Sequence, residues 1–265
     1  MSARRVSPLA LLAWQLGLAA ALIAMWHVAT TTTLFGDPKT VRFFFSTPLE
    51  VAERVWKMFA SGSVWKHLWI TTQETALAFL IGAAAGVVFG FWLAMAPLAA
   101  AVLDPYIKAA NALPRVVLAP IFMLWFGLGI WSKVALGVTL VFFIVFFNVY
   151  QGVKETNPVI IANARMLGMN KAQLFRHVYW PSAMSWMFSS LHSSVGFAMV
   201  GAVVGEYLGS SAGLGYLIHE AEGVFDVTGV FAGMFVLAVF VLAVDYLVTL
   251  VERRLLAWSP QSTQR

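Results

Sequence analysis

Long apolar stretches separated by short polar segments make up most of this chain. The hydrocarbon core of a bilayer is about 30 Å thick and requires roughly 20 apolar residues per helix. The pattern therefore predicts six transmembrane helices, an all-α polytopic membrane fold and one transmembrane domain over residues 9–257. The predicted spans run near residues 9–29, 68–95, 102–126, 134–152, 182–206 and 229–251, with tails at 1–8 and 258–265.

Between the first two spans, Thr47, Pro48 and Glu50 have the order of a capped helix start: a hydroxyl cap, a proline and a glutamate three residues after the cap. A short helix should follow, lying on the outer membrane surface or against the bundle. Its apolar residues share one helical face and are Val51, Ala52, Val55, Trp56 and Phe59.

Two spans carry residues that affect helix packing. Gly82, Gly86 and Gly90 recur every four residues on one face of the second span, which predicts close approach of another helix. Pro114 and Pro120 remove backbone donors from the third span. That span is either broken, as in helices that line a pathway, or only kinked.

Basic residues predict the orientation, because they concentrate on the cytoplasmic side of membrane proteins. A weaker set of basic residues falls on the opposite, outer side. It includes Lys133, whose ammonium group we expect to reach the surface along its aliphatic stem. Both termini are predicted to be cytoplasmic, and we interpret the first span as an anchor rather than a cleaved signal peptide. The cytoplasmic set comprises Arg4, Arg5, Lys108, Arg115, Lys154, Arg165, Lys171, Arg176, Arg253 and Arg254.

Composition excludes several functions. Hydrophobic residues make up 60% of the chain and charged residues 11%, so the net charge of +5 reflects membrane topology rather than nucleic-acid binding. The sequence has no cysteine and no glycine-rich phosphate loop, and its five histidines lack the spacing of metal ligands. We expect no cofactor, no metal and no catalytic residue.

Residues 153–180 form the longest predicted cytoplasmic segment. Asn157 with Pro158 starts a first short helix, Gly168 ends it, and Asn170 with Gln173 starts a second. The apolar residues of this segment either bind a partner or pack beneath the bundle. They are Val159, Ile160, Ile161, Met166 and Leu167.

The run 164–168, Ala-Arg-Met-Leu-Gly, followed by Phe175, Val178 and Pro181, resembles the cytoplasmic EAA loop of permease subunits in binding-protein-dependent ABC importers. Further similarity to the nitrate, sulfonate and taurine group extends from about residue 68 to residue 258. It includes the Asp-Pro pair at 104–105, the Leu-Pro pair at 113–114 and the Trp-Phe-Gly run at 125–127. It also includes segments 201–206, 213–215 and 252–254.

The resemblance implies a type I importer fold in the bacterial inner membrane and transport by alternating access. It also implies three partners: ABC ATPase subunits that hydrolyse ATP, an external solute-binding protein, and a second copy of the chain. The coupling residues implied by the loop are Ala164, Arg165, Leu167, Gly168 and Pro181. Ala162 stands where the family usually has an acidic residue, which puts a salt bridge to the ATPase there in doubt.

The fifth span carries polar residues on one side of its helix, where they would face the bundle interior or a water-filled pathway. Serines that bond back to their own helix are the alternative explanation. The residues predicted to line the pathway are Ser185, Ser189, His192, Ser193 and Glu206. We expect Glu74, His27 and Asp245 to be solvated or paired near span ends.

Two other functions fit parts of the pattern. An ion-gradient-driven secondary transporter would use Glu206 and Asp245, although the sequence shows no internal inverted repeat. A membrane scaffold would explain the glycines but not the polar stripe. The resemblance suggests a small polar solute, of the sulfonate, taurine, nitrate or vitamin and pyrimidine-precursor classes, without specifying which.

Overall fold

The computed structural model describes residues 7–255, which contain twelve α-helices and no strand. Residues 1–6 of the first predicted tail, which include Arg4 and Arg5, and the whole second tail at 258–265 lie outside the described residues. The helices are α1 (Pro8–Thr31), α2 (Pro38–Phe45), α3 (Pro48–Ala60), α4 (Ser63–Met95), α5 (Pro97–Ala112), α6 (Ala119–Phe126), α7 (Ile130–Lys154), α8 (Pro158–Met166), α9 (Lys171–Leu174), α10 (Trp180–Leu208), α11 (Leu214–Gly223) and α12 (Val227–Leu255).

Five of the described helices are long and apolar enough to cross a bilayer, and a bent pair raises the number to six if it counts as one span. The pair joins residues 97–112 to residues 115–126 at an angle of 88°. Pro114 caps a short 3-10 turn at Arg115–Leu118 that separates the two helices. The third predicted span is therefore broken rather than kinked.

One compact unit comprises residues 7–64 and 217–236 of the described chain. The capping box before α3 is confirmed, since the Thr47 hydroxyl accepts from the amide of Glu50 and the Glu50 carboxylate accepts from the amide of Thr47. On the predicted apolar face, Val51 is buried whereas Trp56 is 73% exposed. Helix α2, capped by Asp37, is an additional element that the hydrophobic pattern did not predict.

Ion pairs stabilise the same unit. Glu50 accepts from Arg42, whose hydrogen bond is the main reason that the pKa of the Glu50 carboxyl lies below its usual value. Arg54 pairs with Asp226, which also caps the start of α12 at the amide of Gly229. These bonds hold α2, α3 and the α11–α12 turn together.

A second compact unit comprises residues 65–216 and 237–255 of the described chain. The glycine face of α4 packs directly on α7, as predicted. A Cβ added at Gly86 would lie 2.8 Å from the Cβ of Val145, and Gly82 and Gly90 meet α7 residues in the same way. Real Cβ atoms essentially never come this close, so only glycine permits this contact.

The second predicted short helix is not a separate element. Helix α9 continues through a π-helical turn at Phe175–Tyr179 into α10, so residues 171–208 form one 38-residue helix. Proline lacks an amide proton, and its ring clashes with the carbonyl four residues earlier in a regular helix. The wider turn ends just before Pro181 and accommodates both defects, which explains why the helix continues.

Candidate functional site

Residues 157–174, which we call the lug, contain a helix, a glycine corner and the start of a second helix. The Asn157 side chain caps α8 at 2.9 Å from the amide of Val159. Gly168 has a φ of +79°. The amides of Gly168 and Met169 donate to the carbonyls of Arg165 and Ala164 at 3.0 and 3.1 Å. This is the Schellman pattern, in which glycine is preferred because other side chains disfavour positive φ.

The lug has a packed side and an open side. Ala164 lies buried in a small cluster with Leu174 and Val178, so this predicted coupling residue holds the two helices of the lug together. The remaining predicted coupling residues, Arg165, Leu167, Gly168 and Pro181, are all exposed. Met166 and Leu167 are each 79% exposed, whereas Ile161 packs on the buried cluster.

The predicted polar stripe lies on an uncovered face of α10. Ser185, Ser189 and Ser193 are exposed, and nothing lies within 4 Å of a Cβ added at Gly196. The serines that do bond back to the helix are Ser190 and Ser194, which are buried on another face and donate to carbonyls at 2.7 Å.

His192 belongs to the same stripe but is half-buried beside α12. Its Nδ1 lies 2.9 Å from Glu252 Oε2, and its Nε2 lies 3.7 Å from Asp245 Oδ1. Asp245 itself is 65% exposed, as expected for a solvated or paired carboxylate.

A buried charge cluster of Glu74, Lys133 and Glu206 lies within the second unit, and each of its members is at most 1% exposed. Glu74 is enclosed and interacts with Glu206 and Lys133, so of the two alternatives it is paired and not solvated. The prediction for Lys133 was wrong. Lys133 does not reach the surface, because its Nζ donates to the carbonyls of Leu128 and Gly129 at 2.6 and 3.1 Å.

Glu206 anchors a turn instead of facing an open surface. Its carboxylate accepts from the hydroxyl of Thr71 at 2.6 Å and from the amide of Gly215 at 2.7 Å. The Thr71 hydroxyl in turn accepts from the amide of Leu214 at 3.0 Å. A Cβ at Gly213, whose φ is +114°, would collide with the same carboxylate. The turn at 213–215 therefore packs closely around one buried carboxylate and is hydrogen-bonded to it.

Sequence reasoning missed Glu74, Thr71 and Lys133 as members of one cluster. The available signal was that ionisable residues inside apolar helices are rare and usually pair with one another. Among the described residues, no group of three or more His, Cys, Asp or Glu side chains could hold a metal ion.

Residues 86–257 match the family described as the binding-protein-dependent transport system inner membrane component. This chain belongs to that family. Members of this family are permease subunits of ABC importers. The predicted family and the predicted type I importer fold are both confirmed.

Two curated relatives illustrate the family. SsuC of Bacillus subtilis, named as an aliphatic sulfonates transport permease protein, is 31% identical over 92% of this chain and 88% of its own length. ThiX of Halalkalibacterium halodurans, named as a formylaminopyrimidine transport permease protein, is 32% identical over 89% of this chain and 92% of its own length. The chain is therefore similar in sequence to permeases named for chemically different solutes.

The fold also matches a solved structure of the MetNI methionine ABC transporter in an inward-facing conformation, with a TM-score of 0.62 and 17% identity. The match covers 73% of this chain and 94% of the MetNI chain.

Proposed function

We propose that the lug of this importer permease couples ATP hydrolysis by a separate ATPase subunit to movement of the membrane helices. The observation that carries the proposal is the two-sided lug. Its inner side is packed and its corner is fixed by a Schellman motif, while Met166 and Leu167 lie almost fully exposed at the tip. An apolar tip on a rigid element is suited to bury itself in a groove of a partner.

Each coupling residue has a role in this arrangement. Leu167 supplies apolar burial and Arg165 a charge at the contact. Gly168 sets the corner, and Ala164 holds it from inside. Pro181 marks the junction at which the lug continues into α10.

The pathway is proposed to lie along the exposed serine face of α10, formed by Ser185, Ser189 and Ser193 with His192 at its edge. Hydroxyl groups on an uncovered face inside a membrane need water or protein as a partner. A second copy of the chain, facing this one, would enclose that face. Glu206 would act on the pathway indirectly, through the turn that it anchors.

The remaining assignments follow from the resemblance and the charge pattern. We propose that the lug and both termini lie in the cytoplasm, with tails 1–8 and 258–265 flanking a permease domain at 9–257. An external binding protein would deliver a small polar solute, of the sulfonate, taurine, nitrate or vitamin and pyrimidine-precursor classes. The ATPase partner, and not this chain, would hydrolyse ATP.

The test is solute uptake into reconstituted vesicles that contain the permease and its co-purifying ATPase, with ATP inside and the binding protein outside. Uptake that requires ATP and persists with an uncoupler supports the proposal. Uptake that stops with the uncoupler and proceeds without ATP would indicate the ion-gradient-driven alternative instead.

Two variants test the coupling role directly. Leu167→Ser and Gly168→Val should insert normally but lose co-purification of the ATPase, since one removes the apolar tip and the other cannot adopt the positive φ. Leu34→Ser is the matched control, because Leu34 is 73% exposed in a short 3-10 turn far from the lug in sequence. Normal ATPase assembly in both lug variants would refute the proposal.

A further inference from the structure

A cavity of about 410 Å³ opens within the second unit, between α4, α5, α7 and α10. Small-molecule sites in proteins typically have volumes of about 300–1,000 Å³. The lining of this cavity combines aromatic rings, two carboxamides and one ion pair, and it overlaps none of the residues of the lug or of the buried charge cluster.

Aromatic rings form the walls of the cavity. Phe146 and Tyr150 on α7 stack at 6.0 Å with 24° between their planes, and Phe146 is only 3% exposed. Trp186 on α10 forms another part of the wall. A Cβ added at Gly152 would lie 3.0 Å from Trp186, so the indole packs closely on the Gly152 backbone and would have to shift slightly for a larger residue. Trp186, which is 39% exposed, therefore offers a ring surface that is open to a solute.

Trp186 also links the cavity to the proposed pathway. In a helix with 100° per residue, Trp186 lies about 20° from Ser193 and about 60° from Ser189. The indole and the serine stripe therefore share one face of α10, and a solute moving along the serines would meet this cavity.

The polar lining suits an uncharged solute. Asn148 donates its amide to the carbonyl of Ile144 at 2.8 Å, which orients the side chain and leaves its Oδ1 to accept. Gln151 lies one helical turn further along and donates its amide to Glu155 at 2.8 Å, which leaves its Oε1 to accept. Lys108, the only cation among the described lining residues, is paired with Asp104 at 2.7 Å. A sulfonate or another strong anion would have to displace the Asp104 carboxylate to pair with Lys108, because no other cation is among the described lining residues.

We infer that this cavity is a solute-binding site for planar, uncharged heteroaromatic molecules, with the ring stacked on the aromatic walls and its polar edge bonded to Asn148 and Gln151. Flat rings gain from offset or edge contacts with aromatic side chains, and carboxamides both donate to and accept from ring nitrogens and amino groups. The inference rests on the proposed function, because it places the site on the pathway of the permease.

The experiment measures binding of radiolabelled formylaminopyrimidine and of butanesulfonate to the full-length chain in lipid nanodiscs. The pyrimidine should bind saturably and more tightly than the sulfonate. Trp186→Ala and Asn148→Leu should each weaken binding of the pyrimidine at least tenfold, and Trp186→Phe should retain part of it. Trp69→Ala is the matched control, since Trp69 is 63% exposed and lies outside the cavity.

Three results would overturn the inference: equal or tighter binding of butanesulfonate, no binding of the pyrimidine, or pyrimidine binding that none of the cavity variants changes. Lys154→Gln tests the alternative that the cavity binds an anion. The Lys154 ammonium lies 5.6 Å from the centroid of the Tyr150 ring and could pair with a sulfonate there. Binding to the isolated permease requires no ATPase. Failure of this test is thus distinguishable from failure of the coupling proposal, which is measured by ATP-dependent uptake.

Discussion

Replacing Glu206 should detach the turn at 213–215 from α10. The carboxylate accepts two hydrogen bonds inside the protein, from the hydroxyl of Thr71 and from the amide of Gly215. Hydrogen bonds to a charged group contribute about 1.5–3 kcal/mol each. In Glu206→Gln, the amide nitrogen can no longer accept, so one buried donor loses its acceptor and the free energy of unfolding should fall by about 2–3 kcal/mol.

Glu206→Ala should be worse, because both acceptors are removed and a cavity remains beside Gly213. We expect a loss of about 4–6 kcal/mol from the two hydrogen bonds and the cavity together. One kcal/mol corresponds to roughly 2–4 °C in Tm for a chain of about this size. The thermal midpoint in detergent should therefore fall in the order wild type, Gln, Ala.

The assay combines thermal unfolding with hydrogen exchange of the backbone amides. Exchange at the amides of Leu214 and Gly215 should accelerate in both variants, because these two amides lose their anchored acceptors. Glu220→Gln is the control; Glu220 is exposed on α11, and its substitution should change stability by less than about 0.5 kcal/mol.

One result would refute this reasoning. Glu74 and Glu206 interact through a hydrogen bond as well as through charge repulsion, so replacing Glu206 also changes its interaction with Glu74. If Glu206→Gln were as stable as wild type or more stable, with unchanged exchange at the turn, then relief of repulsion would outweigh the hydrogen bonds. The turn would not depend on Glu206.

Three further predictions follow from other parts of the fold. Gly86→Ala should lower stability by about 1–3 kcal/mol through overpacking against α7, whereas Gly196→Ala, with open space around it, should not; equal Tm values would contradict the packing account. The Tm advantage of wild type over Glu50→Gln should be constant above about pH 5 and vanish as the pH falls through the depressed pKa of Glu50, since Arg42 favours the carboxylate; an advantage that persists in acid would disagree. Ser189→Leu should reduce uptake severalfold without loss of ATPase assembly, as measured in the vesicle assay, and unchanged uptake would count against the serine pathway.

The sequence predicted the helices and the lug well, because their signals are local. Apolar length defines a membrane span, and caps such as Thr47 or Asn170 bond to amides three residues away. The glycine face of α4 was also predictable, because residues four apart always share a helix face.

Features that depend on residues distant in sequence were not predictable in this way. Lys133 and Glu74 each looked peripheral when judged by position in their own helix. Their burial arises only because α4, α7 and α10 converge, with Thr71 and Glu206 bonded across 135 positions in sequence. The position of Trp186 at the cavity likewise reflects its close packing on Gly152, which lies on another helix.

The uninterrupted helix over residues 171–208 has a mechanical consequence. At 1.5 Å per residue, its 38 residues form a lever about 57 Å long, with the lug at one end and Glu206 near the other. A tilt of only about 5° about one end would displace the opposite end by about 5 Å, as much as one turn of helix. In the proposed coupling mechanism, a push at the tip that tilts the helix by this amount would move the serines, which lie near its middle, by about half that distance relative to a neighbouring surface.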